Sequence, residues 1–391
     1  MTPSFCCGFE CGKLGPHWSA GAGTPTFDTT TVNAGTYSLR CNASGSPVYA
    51  IGFGWGESGT ISVLRAYVIF PTALPTGNSY ILWKVQNVNL GLYFQFSDSK
   101  LYCRFDTTNG ASGFSVSTGQ WYLIDIKFNQ TGGSGTTVDA QINGSTLGQA
   151  SGTGSGATSF TNLGIDGAVT CDIYFDSFLV SATSGDYPLG SGKVLGFVPA
   201  SDGTHTATST NIVKGTTGTP VGAAITSATS DSFNWVNARP IGGGASDNTR
   251  LINQQTLSSG QYVEHGIEQT SETSAPRAVE VVGIHRQAAT QSCNSTFKVN
   301  DNGTENTVFA QSANGLTSDQ YFTKHYGLMP ADSAAWTLAR FKALKLRFGY
   351  SSDATPDVYL RGWAVEAEFP VVAATSLPFP VKRPQLFKRR I

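Results

Sequence analysis

Between residues 119 and 180 the chain alternates apolar and polar side chains three times over, in GQWYLIDIKFN (119–129), TTVDAQINGSTLG (136–148) and TCDIYFDSFLV (170–180). In the first of these, Trp121, Leu123, Asp125 and Lys127 fall on one side, and Tyr122, Ile124, Ile126 and Phe128 on the other. A period of two is that of a β-strand with one face in a core. Because the apolar set keeps to one face, a slip of one residue would expose it, so the pairing register is well specified. The same grammar runs back through GTYSLRCNA (35–43), ISVLRAYVIF (61–70), YILWKVQ (80–86), LGLYFQFSD (90–98) and KLYCRFD (100–106). The breaks between them, such as TTNGASG and SGTGSGATS, have turn composition. Roughly ten strands in about 180 residues is the density of a sandwich or jelly roll.

Residues 184–210, rich in Gly, Pro, Ser and Thr, break the alternation and read as a linker strap. Strand patterns resume in SFNWVNA (232–238), QYVEHGIE (261–268), RAVEVVGIHRQAA (277–289), NSTFKVN (294–300), ENTVFAQ (305–311), DQYFTKHYGL (319–328), FKALKLRFGY (341–350) and DVYLRGWAVEAEF (357–369). The one helix-like passage, SAAWTLARFKAL (333–344), is spaced as a short helical turn or a loop. The expected fold is all-β: two tandem antiparallel sandwiches with an extended C-terminal arm. The divisions are 1–185 for the first sandwich, 186–210 for the strap, 211–371 for the second sandwich and 372–391 for the arm. The halves close on related patterns, TCDIYFDSFLVSA and TPDVYLRGWAVEAEF, as tandem relatives would. The arm carries three prolines after residue 371, which favour an extended path. It is expected to anchor by seating Phe379, Leu386 and Phe387 in pockets while Lys382, Arg383, Lys388, Arg389 and Arg390 meet acidic or phosphate groups; the alternative is a solvated tail.

A length of 391 residues suits two sandwiches better than one. Charged residues are 13% of the chain, and the formal net charge of −1 gives no general attraction to nucleic acid or anionic membrane. No apolar run reaches the roughly 20 residues of a membrane helix. The opening MTPSFCCGFECGKLG lacks the basic and apolar blocks of a secretory signal, so signal-directed export is not expected. Seven cysteines leave at least one unpaired within the chain. Cys6, Cys7 and Cys11 with His17 have the residue types of a zinc site, but C-C-x3-C is not a standard ligand spacing, and free thiols with at most one disulfide are expected. No metal or other cofactor is expected.

Sugar-cleaving sandwiches need two carboxyls facing each other in a groove. Glu366 with Glu368, and Glu264 with Glu268, share strand faces but lack the E-x-D-x-E run of laminarinase-like enzymes; they read as outward-facing polar positions. Asp172, Asp176 and Asp166 read as turn or strand-end residues rather than calcium ligands. None of the five histidines forms H-E-x-x-H, and His265 and His285 read as exposed strand positions. No G-x-S-x-G elbow or phosphate loop occurs. No enzymatic activity is therefore expected. For sugar binding, exposed aromatic rings matter: Trp55, between glycines at a loop tip, is the first candidate, followed by Trp18 and Tyr187. Burial in the core is the default for tryptophan. The five N-x-[ST] sequons, at Asn42, Asn129, Asn143, Asn294 and Asn302, are expected by chance in so polar a chain.

In order, GFECG (8–12), GTYSLRCN (35–42), GQWYLIDIKFN (119–129), VDAQINGS (138–145), CDIYFDSFLV (171–180) and DYPLGSGKVLGFVPASDGTH (186–205) resemble the concanavalin A-like, or laminin-G-like, jelly roll of tailed-bacteriophage virion proteins. The second half is similar only in general style. The resemblance implies a non-enzymatic structural protein of the virion, a capsid decoration or tail-fibre part. Its partners would be other virion proteins, further copies of itself and a host-surface glycan. The alternatives are a carbohydrate-binding adhesin or receptor-binding protein and, third, a glycan-degrading enzyme of the laminarinase-like fold.

Overall fold

The computed structural model describes residues 3–15, 17–52, 60–156, 160–203, 212–216, 219–224, 251–254, 262–287, 294–312, 320–350 and 358–371. The arm residues Phe379, Lys382, Arg383, Leu386, Phe387, Lys388, Arg389 and Arg390 lie outside them, as do the expected strand 232–238 and Trp55.

Alternation drives the first sandwich. Tyr122, Ile124, Ile126 and Phe128 are buried to 1% exposure or less, as the pattern requires. Their strand, Trp121–Asn129, pairs with Ile61–Ile69 on one side and Gly133–Ile142 on the other. Thr170–Ser181, Ser38–Ser44 and Thr26–Asp28 continue the nine-stranded sheet, and Phe5–Cys7 pairs alongside Thr170–Ser181. The facing eight-stranded sheet runs Thr108–Asn109, Lys100–Phe105, Asn89–Gln95, Ser79–Val85, Thr161–Ile165, Val48–Gly52, Trp18–Ala22. Leu64, Val68, Ile173 and Phe175 from one sheet meet Leu82, Leu92, Phe94 and Leu163 from the other in one core.

The second sandwich has a seven-stranded sheet centred on Val358–Pro370 and Ala278–Gln287, and a five-stranded sheet including Tyr262–Ile267, Lys345–Tyr350 and Asn294–Asp301. Phe297, Phe322, Phe348 and Trp363 fill its core. The helix-like passage forms one helix, Leu338–Lys342; the Thr337 hydroxyl caps it by accepting from the Arg340 N–H, and Phe341 is buried.

Two expectations need correction. The segment 186–210 is not simply a strap, because Gly192–Phe197 pairs with Val358–Pro370 and Pro199–Asp202 pairs with Tyr262–Ile267, both inside the second sandwich. Backbone N–H groups can be satisfied by a sheet edge even where side chains show no alternation. The chain crosses between sandwiches over 187–191, where the Asp125 carboxylate accepts from the N–H groups of Leu189 and Gly190 at 2.9 and 3.2 Å.

The second correction concerns the polar faces. Glu366 and Glu368 point outward from their own sheet, yet they are 1% and 0% exposed, because the first sandwich covers that sheet. Arg65 from the nine-stranded sheet is equally buried and meets Glu368 at 2.7 Å, with Arg277 on the same carboxylate at 2.5 Å. Val63, Leu179, Leu189, Val194 and Ala278 pack around them. Here an outward position means the outside of a sandwich, not water.

Candidate functional site

One end of the first sandwich presents a sheet face that nothing in the core explains. Along Asn89–Gln95, Leu90, Leu92 and Phe94 enter the core, which turns Gly91 and Tyr93 outward. The neighbouring strand Ser79–Val85 would put Tyr80 and Trp83 on opposite sides if it were regular. A register shift between Tyr80 and Leu82 prevents this: Ile81 and Leu82 both enter the core, and Tyr80 and Trp83 both face out. A bulge inserts one residue and so reverses the side-chain phase beyond it.

The result is a row of rings. Tyr49 and Trp83 meet edge to face at 5.0 Å, Tyr80 and Tyr93 likewise at 5.0 Å, and Tyr80 and Trp83 lie 6.3 Å apart. Tyr102 continues the row opposite Tyr93 on the next strand. Space for the rings comes from glycine. A Cβ on Gly91 would stand 2.7 Å from the Trp83 Cβ and 2.2 Å from the Leu82 carbonyl, and one on Gly21 would stand 2.1 Å from the Tyr49 ring. Trp83, Tyr80 and Tyr93 form the floor, at 2%, 5% and 8% exposure. Tyr49, Ile51, Tyr102 and Arg104 are half-buried above it. At one end Val85 is 45% exposed and Phe160 51%.

Polar groups frame the row. The Arg104 guanidinium lies 4.0 Å from the Tyr93 ring centre, donates to the Asp106 carbonyl at 2.8 Å and reaches the Asn109 amide oxygen at 2.9 Å. Asn109 in turn donates to Gln95 at 2.5 Å. The Tyr80 hydroxyl lies 2.9 Å from the Asp106 carbonyl, and burial pushes its phenol above the usual range. Asp166 accepts from the Tyr80 N–H at 2.7 Å and the Ser79 hydroxyl at 3.0 Å; burial raises its carboxyl despite those bonds. It braces the strands beneath the rings.

Those residues favoured from sequence that are described lie elsewhere. Trp18 belongs to the core between the two sheets, packed between Phe9 and Phe178, and so lies on the opposite side of the sheet from this row. Tyr187 is half-buried against Lys127, whose ammonium stands 5.1 Å from its ring. The cysteines are free thiols where described. Cys6, Cys7, Cys11 and His17 line one cavity, but among the described residues no three His, Cys, Asp or Glu side chains are arranged to hold a metal ion. Burial first, and nearby carboxylates second, hold the thiols of Cys6, Cys7 and Cys11 well above their ordinary pKa.

The carboxylate candidates are occupied structurally. Glu264 is fully buried and bonds Lys345 at 2.9 Å and Arg347 at 2.5 Å, contrary to the exposed position expected. Glu268 accepts from the Val198 N–H at 3.1 Å. Asp172 holds Arg40 through two bonds of 2.9 and 2.8 Å. His265 and His285 are also fully buried; His265 lies edge-on to Trp363, and His285 lies among Phe297, Phe309 and Phe322. The aromatic face itself was legible in part: a glycine inside a strand, as in LGLYF, marks a close approach by another group. Period-two reading failed there because it assumes no bulge.

No protein-family model matches the chain, and no curated protein matches it. Solved structures do align. The cellulose-induced protein Cip1 is 16% identical over 46% of this chain and 97% of its own, with a TM-score of 0.39. An endo-β-1,4-glucuronan lyase from the fungus Trichoderma reesei is 11% identical over 46% and 96%, with a TM-score of 0.33. The alginate lyase Aly36B is 13% identical over 46% and 97%, with a TM-score of 0.32. The all-β sandwich architecture is shown; a link to bacteriophage is not. The virion structural role implied by the resemblance is corrected: it is cut back to the sandwich fold alone, and the three aligned structures are named for cellulose, glucuronan and alginate.

Proposed function

We propose that this chain binds carbohydrate on the outer face of its eight-stranded sheet. The observation that carries this reading is the pair of half-buried rings Tyr49 and Tyr102 at the two ends of a row whose floor is the buried Trp83, Tyr80 and Tyr93, edged by Arg104, Asn109 and Gln95. Pyranose rings offer apolar C–H faces that stack on aromatic side chains, and hydroxyls that bond amides and guanidinium groups. From Val48–Gly52 to Lys100–Phe105 the row crosses four strand spacings. At about 4.8 Å each this is roughly 19 Å, the length of a short oligosaccharide rather than a single sugar.

Binding without bond cleavage is the form of activity proposed. Glu264, Glu268, Glu366 and Glu368 are all engaged away from this face, so neither pair serves as acid and base on it. The test is a screen of the full chain against immobilised neutral and acidic glycans, followed by calorimetry on the best ligand. Tyr49→Ala and Tyr102→Ala are each expected to weaken binding about five-fold, the worth of one aromatic contact. Unchanged affinity in both variants, or no glycan bound, refutes the site. A rise in reducing ends or in unsaturated product during incubation refutes the non-catalytic form.

A further inference from the structure

The junction between the sandwiches holds titratable groups that glycan binding does not use. Glu280, 1% exposed on Ala278–Gln287, faces a histidine from each sandwich. His17 Nε2 lies 3.4 Å from its Oε1, and His325 Nδ1 lies 3.2 Å from its Oε2. His17 Nε2 also bonds the Thr323 hydroxyl. His325 Nε2 is 2.8 Å from the carbonyl oxygen of Pro3. A carbonyl oxygen only accepts, so Nε2 carries a proton. A neutral His325 would then turn the lone pair of Nδ1 toward the Glu280 carboxylate. The contact is attractive only when a second proton lies between them.

We propose that His17, Glu280 and His325 form a protonation-dependent latch that fastens the N-terminal segment of the first sandwich to the second, closed while the His325–Glu280 proton is held and released as it is lost at higher pH. The segment is placed for this role. Pro3 precedes Phe5–Cys7, which pairs with Thr170–Ser181 in the first sandwich and lies against the seven-stranded sheet of the second. Beyond it, Gly8 and Cys11 donate their N–H groups to Glu366 at 2.8 and 3.3 Å.

Titratable groups face the latch from every element packed on it. Glu366 is the register partner of Glu280, so two buried carboxyl groups stand side by side, and burial raises that of Glu366 above its usual range. Cys6, Cys7 and Cys11 approach from the N-terminal segment with neutral thiols, and Lys13 lines the same cavity. From Gln320–Tyr326 come Thr323, His325 and the buried, neutral Tyr326. Glu368 is already matched by Arg65 and Arg277. Burial works to raise Glu280, but bonds from His17 and His325 outweigh it and hold its carboxyl below the usual range. That depressed group contributes stability above its unfolded pKa and loses it as pH falls through the folded value. The latch therefore has an acid limit set by Glu280 and an upper limit set by loss of the His325–Glu280 proton.

Hydrogen exchange of the full chain tests this. After correction for intrinsic rates, the amides of residues 4–11 are expected to lose at least ten-fold protection between pH 5.5 and 8.5, while the core strand Trp121–Asn129 does not. His325→Gln should remove the dependence. Equal protection at both pH values, or the dependence persisting in His325→Gln, overturns the latch. Nitrogen NMR of the His325 ring in the unmodified chain decides the matter should the variant misfold: a ring with one proton at pH 5.5 also overturns it.

Discussion

Asp176 shows how a single side chain acquires a property its neighbours in sequence do not suggest. It sits at a bulge in Thr170–Ser181, beside Ser177 at φ 51°, and its carboxylate accepts from the N–H groups of Asn33 and Ala34 at 2.7 and 3.0 Å. Burial dominates those bonds and raises its pKa to about 7. A group raised in the folded state contributes stability at low pH and loses it as pH rises through the folded pKa. The wild-type chain should therefore lose stability between about pH 4 and 7 relative to Asp176→Asn, whose amide oxygen still accepts the same bonds. Urea denaturation at pH 4.5 and 7.5 checks this, and a difference between the two proteins that does not vary with pH counts against it. The same residue illustrates what the residue types conveyed: an acid in a strand was readable, the loop folded over it was not.

Among elements, Ser79–Val85 matters most, because its bulge builds the aromatic face. Gly91 on the adjoining strand is the complementary part. Adding a methyl group there drives it into the Leu82 carbonyl and the base of Trp83. Gly91→Ala is expected to destabilise by about 1–3 kcal/mol, as overpacking does, and to weaken glycan binding because the floor must shift. Denaturation and calorimetry on one preparation measure both; a stable variant with intact binding would show that the floor is not set by this contact. Strand existence and inward face were legible for most of the first sandwich, as Trp121–Asn129 demonstrates. They were not legible in Ser79–Val85, where phase changes within the strand, nor in Gly192–Phe197, a short glycine-broken segment that pairs with Val358–Pro370 and buries Val194 and Phe197.

At the scale of the whole molecule, the junction joins the two sandwiches through apolar packing around a buried ion cluster. Arg65 and Glu368 are both fully buried, so removing one partner leaves an uncompensated charge. Glu368→Gln is expected to cost about 3–5 kcal/mol, even with Arg277 adjacent. The intact chain should unfold in one transition, reported alike by tryptophan fluorescence and circular dichroism. Glu368→Gln should split that transition, since it weakens the junction more than either core. A variant that keeps a single coincident transition at unchanged midpoint would show that the sandwiches do not depend on this cluster.

Alternation along the strands established that the chain is all-β, which residues face the core in regular strands such as Trp121–Asn129, and that two sandwiches follow one another. Those features depend on the side-chain period of an extended backbone, which every strand carries locally. What lies over the outer faces is a matter of long-range packing. Glu280, Glu366 and Glu368 occupy positions with the same local pattern as water-facing residues, and became buried because a second sheet covers them. Tyr49, Tyr80, Trp83, Tyr93 and Tyr102 came together because separate strands align in register and one of them bulges. Local periodicity distinguishes the two sides of a strand; only the docking of distant segments distinguishes solvent, partner and ligand on the outer one.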